Sequence, residues 1–313
     1  MRNKRLQNKV SESKLTLPIV SLYAIGIWGL YGLAQEGWWI QFGSFFLSAF
    51  LMLVLNNTNA LIRIYSRMVS SSFLVLSCTA CFLFPFLSEA ICQFFFIAVY
   101  LILFLTYQDK ASAGLTYYGF LCIGLASLCY VHILCYIPFL WLLMLTKLQT
   151  LSWRTFLSSL MGAITPYWFA ACWLLYKTDF TPLVEHFNPI TNIYRPFEFS
   201  LLNISQIATI SFLFIIAVIG TIHYWQTSYQ DKFRIRQLYE IFIWMDSLSF
   251  LFFCLQPQHA NMLIRLIIIN TAPLVAHFIA LTQKRITNII FYLITFVALT
   301  LTAYNLWISS SIF

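Results

Sequence analysis

Ten carboxylates, eighteen lysines and arginines and five histidines are the groups in this 313-residue chain able to carry charge or move a proton. Two of them sit deep in apolar sequence: Arg265, within NMLIRLIIINTAPLVAHF (261–278), and Asp246, in the apolar run that precedes it. An ionised group in hydrocarbon costs about 2.5 kcal/mol or more, so each needs a partner or a task. The two flank the polar link Gln256-Pro257-Gln258-His259-Ala260, which invites an ion pair between consecutive antiparallel helices. Counted outward from that link their positions differ by five residues, about 7 Å at the rise of an α-helix. Side chains also lean toward their own helix N-terminus, so Arg265 leans outward and Asp246 inward, and a direct pair is not favoured. Two readings of Arg265 remain. It stands about a turn from the outer boundary, where its stem can lift the guanidinium to the headgroups. Alternatively Arg265, His259 and Asn261 border a polar cavity open to the outer face, where the guanidinium grips a phosphate or carboxylate bidentately. Asn270 is a further polar group within the span, Pro273 is expected to kink it, and His277 reads as a satisfied, cytoplasm-edge histidine rather than a ligand.

Glu36 is the second focus. It lies in Ala34-Gln35-Glu36-Gly37-Trp38-Trp39, where the paired tryptophans mark a membrane interface. Its bland reading is a solvated turn acid; its sharper one is a carboxylate at the membrane surface that serves as a general base. The stretch KTDFTPLVEHFNPITNIYRPFEFSLLN (177–203) adds Glu185, His186 and Arg195 as candidate substrate-binding groups. Glu185 and His186 are adjacent, and two neighbouring residues supply neither the number nor the geometry of metal ligands. No metal or cofactor is expected.

The elements that must position these groups are set by composition. The chain is 61% hydrophobic and 9% charged, with a mean hydropathy of +0.81, whereas soluble domains carry about a quarter charged residues. An all-α, polytopic transmembrane bundle follows. About 20 apolar residues cross a bilayer core, and eleven windows qualify: 16–34, 38–55, 70–87, 90–107, 113–129, 131–146, 155–176, 204–226, 237–255, 262–281 and 286–308. The fifth and sixth abut at Cys129-Tyr130-Val131-His132, as a tight hairpin or a re-entrant pair. With the basic N-terminal tail (1–15) in the cytoplasm, alternation puts fifteen of the eighteen lysines and arginines on the same side, as the positive-inside rule requires. The C-terminus is then outside, and 177–203 is the longest extracytoplasmic loop. The net charge of +8 is scattered between spans, which argues against a nucleic-acid groove.

Between spans no stretch is long enough for a soluble domain, so residues 1–313 read as a single integral membrane domain. There is no Walker or Rossmann glycine motif and no internal repeat. The first span is longer than a signal-peptide core, and Gly26, Gly29 and Gly32 recur on one face suited to close helix packing, so it is expected to be retained. Asn56-Asn57-Thr58-Asn59 before ALIRIYSRMV (60–69) reads as the cap of a short amphipathic interfacial helix whose arginines meet anionic lipid. The eight cysteines, including the CxxC of Cys78 and Cys81, lie in or beside apolar runs and read as packing residues.

Two stretches carry a resemblance. NALIRIYSRMVSS…LFPFLSEAICQFFFIAVYLILFLTY (59–107) runs from a basic interfacial segment through a span ending near Pro85, a short outer turn and another span. GFLCIGLASLCYVHILCYIPFLWLLMLTK followed by SWRTFLSSLMGAITPYWFAACWLLY (119–176) continues the succession. Together they resemble the membrane core of GT-C glycosyltransferases, and the whole chain resembles an uncharacterised family of bacterial polytopic inner-membrane proteins. The first resemblance implies transfer of sugars from polyprenyl-phosphate carriers at the outer face in envelope glycan synthesis. It casts Glu36 as the base and Arg265 as a donor-phosphate ligand. The second implies residence in the bacterial inner membrane. A different class stays open: a non-enzymatic subunit or carrier of an envelope assembly, with lipid and other membrane proteins as partners. The enzyme needs Glu36, Arg265 and the 177–203 loop to converge; the subunit leaves its polar residues dispersed.

Overall fold

The structure, a computed structural model, describes residues 5–178, 181–191, 196–282 and 285–310. All regular structure among them is helical: α1 (Leu6–Glu12), α2 (Thr16–Leu30), α3 (Leu33–Glu36), α4 (Trp39–Asn59), α5 (Met68–Thr79), α6 (Leu87–Leu105), α7 (Ala113–Cys129), α8 (Ile137–Leu143), α9 (Trp153–Lys177), α10 (Thr181–Thr191), α11 (Ile204–Thr227), α12 (Phe233–Leu255), α13 (Ala260–Leu281) and α14 (Arg285–Ser310). Among the described residues seven helical stretches are long and apolar enough to cross a membrane: Trp39–Asn59, Leu87–Leu105, Val131–Leu148, Ile204–Gln230, Phe233–Leu255, Pro257–Leu281 and Arg285–Ile308. The chain is therefore a multi-pass membrane protein.

Each of the eleven apolar windows falls on helix, but four lie outside those seven stretches. The first falls on α2 and the start of α3; α2 makes an eighth span only if taken together with α1, which meets it at 90°. The third is cut short because α5 tightens into a 3₁₀ turn at Cys81–Leu83 before Pro85. The fifth, α7, is apolar but short, and the seventh, α9, is long but rich in serine, threonine and tryptophan. Between α7 and α8 the chain reverses at Tyr130 into a 3₁₀ segment, Val131–Tyr136. Residues 108–112 then meet 148–152 at one end, through Gln108 N–H to Leu148 O (2.8 Å) and Ser152 Oγ to Lys110 O (3.0 Å). The two helices run antiparallel with their far ends joined, and of the two only Val131–Leu148 is long and apolar enough to cross a membrane.

The described chain divides into two compact units, residues 1–87 with 197–313 and residues 88–196. In the first, α13 is the pillar. Every residue from Met262 to Ala280 is buried, because α5, α11 and α12 pack along it and α1 lies on its C-terminal end. The part of α13 that reads as ordinary lipid-facing sequence is thus enclosed by protein. Its last carbonyls are met from outside the helix: Gln7 Nε2 donates to Ile279 O (2.9 Å) and Phe278 O (3.3 Å) and pairs with Thr282 Oγ1. The end of a helix leaves four carbonyls without intrahelical donors, and a glutamine on the N-terminal segment supplies one of the missing donors.

The same end gathers the bases of this unit. Ser66 Oγ donates to Ser11 O (2.7 Å), and Arg234 Nη2 donates to Asn59 Oδ1 (2.9 Å). With the Gln7 bonds, including its N–H to Asn288 Oδ1 (3.3 Å), these stitch 5–16, 56–68, 228–236, 277–282 and 285–288 together. Arg5, Lys9, Lys14, Arg63, Arg67, Lys232, Arg234, Arg236 and Arg285 all lie in those segments. The expected interfacial helix at 60–69 does not form. Instead α4 continues to Asn59, where Thr58 Oγ1 and Asn59 Nδ2 bond back to Val54 O (2.8 Å) and Leu55 O (3.1 Å). Ala60 then turns the chain at φ 49°, and Leu61 and Ile62 plug the core.

In the second unit α7 and α9 pack most closely. A Cβ on Gly162 would stand 2.4 Å from Tyr117 O, and one on Gly124 would stand 2.6 Å from Ala163 O. These glycines let two backbones touch. The glycines singled out in the first span do not: Gly26 and Gly29 have nothing within 4 Å of such a Cβ, and Gly32, at φ 106°, ends α2 instead. All eight cysteines are free; Cys78, Cys81 and Cys92 are core residues, while Cys129, Cys135 and Cys172 face outward.

Candidate functional site

At the non-basic end of the first unit the broken α5 leaves carbonyls inside the protein, and three helices reach in to them. Arg265 Nη2 of α13 donates to Leu83 O, Gln41 Nε2 of α4 to Pro85 O (3.2 Å), and Asn305 Nδ2 of α14 to Thr79 O (2.6 Å). Phe84, at the centre of this turn, stacks on Trp28 at 3.9 Å and meets Tyr31 and Phe45 edge-on. A cation at a helix C-terminus is favoured by the helix dipole, which explains why an arginine tolerates this depth. Arg265 is only 5% exposed, so its guanidinium does not rise to the headgroups. Asn261, one turn before it, accepts from Gln206 Nε2 (2.8 Å), and Gln206 in turn caps α11 at Asn203. His259 is half-buried beside Gln258, with their Nε2 atoms 3.2 Å apart.

Glu36 ends the four-residue helix α3, held between Gly32 and Gly37, both in the left-handed region. It is exposed and makes no polar contact among the described residues. Asp246 is buried on α12 and accepts from the Thr271 hydroxyl of α13, at 3.3 and 3.2 Å from its two oxygens. Thr271 lies six residues beyond Arg265, in accord with the offset computed from the sequence. Asn270, beside Thr271, is fully enclosed.

The other candidates belong to the second unit. Glu185 is exposed on α10. His186, the next residue, is half-buried with Nε2 3.4 Å from Tyr167 Oη, and that hydroxyl donates to Ser127 Oγ of α7 (2.8 Å). His132 Nε2 lies 3.2 Å from Pro189 O, holding α10 against the 3₁₀ segment. Arg195 lies outside the described residues. Beneath this polar group runs a groove of about 440 Å³, lined by Leu134, Ile137, Pro138, Trp141, Leu160, Ala163, Ile164, Tyr167 and Phe187. Its walls are apolar. The indole of Trp141 turns its N–H aside to Ser159 Oγ (2.9 Å). The groove descends α9 from Tyr167 to Leu160, about 10 Å at helical rise, and its polar rim lies opposite the end that carries Lys110, Lys147 and Arg154. An apolar trough with a hydroxyl–imidazole rim is complementary to an amphiphile.

Sequence reasoning found His186 but missed Tyr167, Ser127 and Trp141, which are ordinary residues of apolar spans until the fold brings three helices together. It also missed a buried cluster at the basic end of the first unit. There His277 Nε2 lies 3.0 Å from Asp231 Oδ2, and Asp231 Oδ1 faces Arg63 at 3.8 Å. The rings of His223, Tyr224 and Tyr239 pack on His277. His277 is thus held through Nε2 at that end, while its buried Nδ1 has no hydrogen-bond partner among the described residues. Among the described residues no group of three or more His, Cys, Asp or Glu side chains is placed to hold a metal ion. No family model, curated protein or solved structure matches this chain.

Proposed function

We propose that this protein sits in a bacterial inner membrane with the basic ends of its units in the cytoplasm, and that the second unit receives the chain of a polyprenyl-phosphate-linked substrate from the outer leaflet. The observation that carries this reading is the groove that Tyr167 lines, with Ser127 and His186 behind it on the tyrosine hydroxyl. It is apolar along its length, reaches Tyr167 at the end away from the bases, and is more than half open at Ile164. An isoprenoid chain suits the trough, and a phosphate suits a rim bearing a hydroxyl and an imidazole. The clustering of lysine and arginine at one end of each unit supports the orientation, with the N-terminus inside and the C-terminus outside.

The finer form of the proposal is a GT-C-like transferase in envelope glycan synthesis. In a reaction of that class a general base takes the proton of an acceptor hydroxyl, the acceptor oxygen bonds to the anomeric carbon, and the bond to the polyprenyl phosphate breaks with its electrons. Glu36, in the first unit, is the candidate for that base, apart from the groove of the second. An exposed carboxylate with no competing partner supports this assignment. Arg265, spent on Leu83 O, is not needed for it.

The full chain, purified in detergent and mixed with polyprenyl phosphate, tests the first step by native mass spectrometry. Wild-type protein should retain the lipid. Ile164→Trp and Leu160→Trp, which fill the trough from its half-exposed side, should lose it while unfolding at the wild-type temperature. Equal retention in both variants overturns the groove. Envelope glycans from cells carrying Glu36→Gln test the second step. Lipid retention with unchanged glycans would make the chain a non-enzymatic lipid-binding component of an envelope assembly. Reporters inserted after Gln149 and after Thr178 should read cytoplasmic and external respectively; the reverse overturns the orientation.

A further inference from the structure

The first unit has a half-open cavity of about 160 Å³ at its basic end, between α1, α2, α5, α13 and α14. Its walls are side chains such as Val20, Val75, Leu76, Val275, Ile279 and Ile294. A cavity of that size lined by hydrocarbon does not hold water stably, and left empty it forfeits the contacts that its lining atoms would make.

One lining group does not belong in a dry apolar hole. Ser72 is 95% buried, and its hydroxyl has no hydrogen-bond partner among the described residues. Its neighbours show what a satisfied serine does here: Ser70 Oγ donates to Ala49 O (2.7 Å) and Ser71 Oγ to Arg67 O (3.1 Å). A buried hydroxyl left unpaired is costly. The lining therefore asks for an occupant that is apolar and slender and presents a hydrogen-bond acceptor at the depth of Ser72.

Charge supplies the remaining property. At the basic end the lining residues Val10, Thr16 and Met68 are preceded closely by Lys9, Lys14 and Arg67. Lys9 and Lys14 are exposed, and Arg67 Nε donates only to the exposed Tyr65 hydroxyl (3.2 Å). Glu12, exposed on α1, is the acid of that segment. From Arg67 to Ser72 is five residues, about 7 Å along α5. That is the scale on which a glycerol backbone separates a phosphate from its ester carbonyls.

We propose that this cavity is a binding site for an anionic glycerophospholipid of the cytoplasmic leaflet. One acyl chain fills the cavity, an ester carbonyl accepts from Ser72 Oγ, and the phosphate lies against Arg67, Lys9 and Lys14. The site neither uses nor needs the groove of the second unit, so either can fail alone.

The test uses the delipidated full chain with phosphatidylglycerol, with phosphatidylcholine of the same acyl chains, and with inorganic phosphate. Retention is counted by native mass spectrometry and thermal unfolding is followed in parallel. Phosphatidylglycerol should be retained in preference to phosphatidylcholine and should raise the unfolding temperature, whereas inorganic phosphate should do neither. Arg67→Gln should weaken phosphatidylglycerol about fivefold, the contribution of one basic residue at an anionic membrane surface, and leave phosphatidylcholine unchanged. Ser72→Leu, which fills the cavity and removes the hydroxyl, should abolish retention of both lipids. Val75→Phe fills it from the next turn and serves if Ser72→Leu does not fold. Equal retention of the two lipids, stabilisation by inorganic phosphate alone, or wild-type retention in the filled variants would overturn the proposal.

Discussion

Gly162→Ala adds one methyl to α9 at a place where the structure has no room for it. The new carbon would stand 2.4 Å from Tyr117 O, 3.0 Å from Leu121 N and 3.2 Å from Phe120 Cβ. Two of these three atoms are backbone, so no rotamer change relieves the contact. The helices must separate by roughly 1 Å to restore van der Waals distance, and a gap of that size costs a quarter to a half of each dispersion contact it opens. Overpacking of this kind typically costs about 1–3 kcal/mol, against which alanine returns about 1 kcal/mol of helix propensity. Because the opposed atoms are backbone and cannot yield, the upper part of that range, about 2–3 kcal/mol, applies, and a net loss of about 1–2 kcal/mol is expected. Gly124→Ala meets the same difficulty from the other helix, at 2.6 Å from Ala163 O and 2.9 Å from the Pro166 ring. Once the first methyl has pushed α7 and α9 apart, the second finds space, so the double variant should lose less than the sum of the singles by at least 0.5 kcal/mol. Gly26→Ala and Gly29→Ala, with nothing within 4 Å, should be neutral or stabilising. Reversible unfolding in mixed detergent micelles measures all five proteins. Wild-type stability in Gly162→Ala, or strict additivity with Gly124→Ala, would refute the close approach of the two backbones.

The other expectations can be checked by the same unfolding assay. Asp231→Asn should cost about 1–3 kcal/mol by weakening a buried, charge-assisted bond to His277, and a double-mutant cycle with His277→Phe should show coupling above about 0.5 kcal/mol; zero coupling would separate the two. Asp246→Leu combined with Thr271→Val replaces a buried carboxylate and its hydroxyl by hydrocarbon, and should be neutral or stabilising where Thr271→Val alone destabilises. A large loss in the double variant would give Asp246 a role beyond that bond. Glu36→Gln should stay within about 0.5 kcal/mol of wild type, as a substitution at an exposed position, so that any change in envelope glycans reports chemistry rather than folding. A drop above about 1 kcal/mol would contradict its exposure.

Helix was legible in the sequence, because apolar length is a property of single segments. The bases that alternation places together do meet, at one end of each unit. Interruptions of spans were not legible in the same way. The window 70–87 is uniformly apolar, and nothing in it announces that α5 will tighten at Cys81 except Pro85, which lies beyond the break. Asn59 was read as a helix start because its type favours N-caps, yet its amide bonds back to Leu55 O and it ends α4 instead. The glycines show the limit most plainly. Gly26 and Gly29 share a face, but regular spacing on one helix says nothing about what lies opposite. Gly124 and Gly162 are isolated in their own sequences and matter only because each faces the other helix. Tyr167, Ser127 and His186 likewise come from three helices and form one polar rim only after the chain has reversed at Tyr130.

The polar residues of the first unit follow a simpler rule than ligand binding. Where water is absent, every backbone group must be satisfied within the protein, and a span that breaks or ends exposes carbonyls that no helix partner covers. Arg265 answers Leu83, Gln41 answers Pro85, Asn305 answers Thr79, and Gln7 answers Phe278 and Ile279. A buried polar side chain is therefore claimed first by the nearest interrupted helix, however suggestive its chemistry. The groups left over point to ligands with more force: the exposed Glu36 carboxylate, the rim over the apolar trough of the second unit, and the Ser72 hydroxyl. Two of these three stand at the head or wall of a hydrocarbon-lined space. Under the two proposed readings both spaces hold lipid, and a transfer reaction would begin from a lipid already bound.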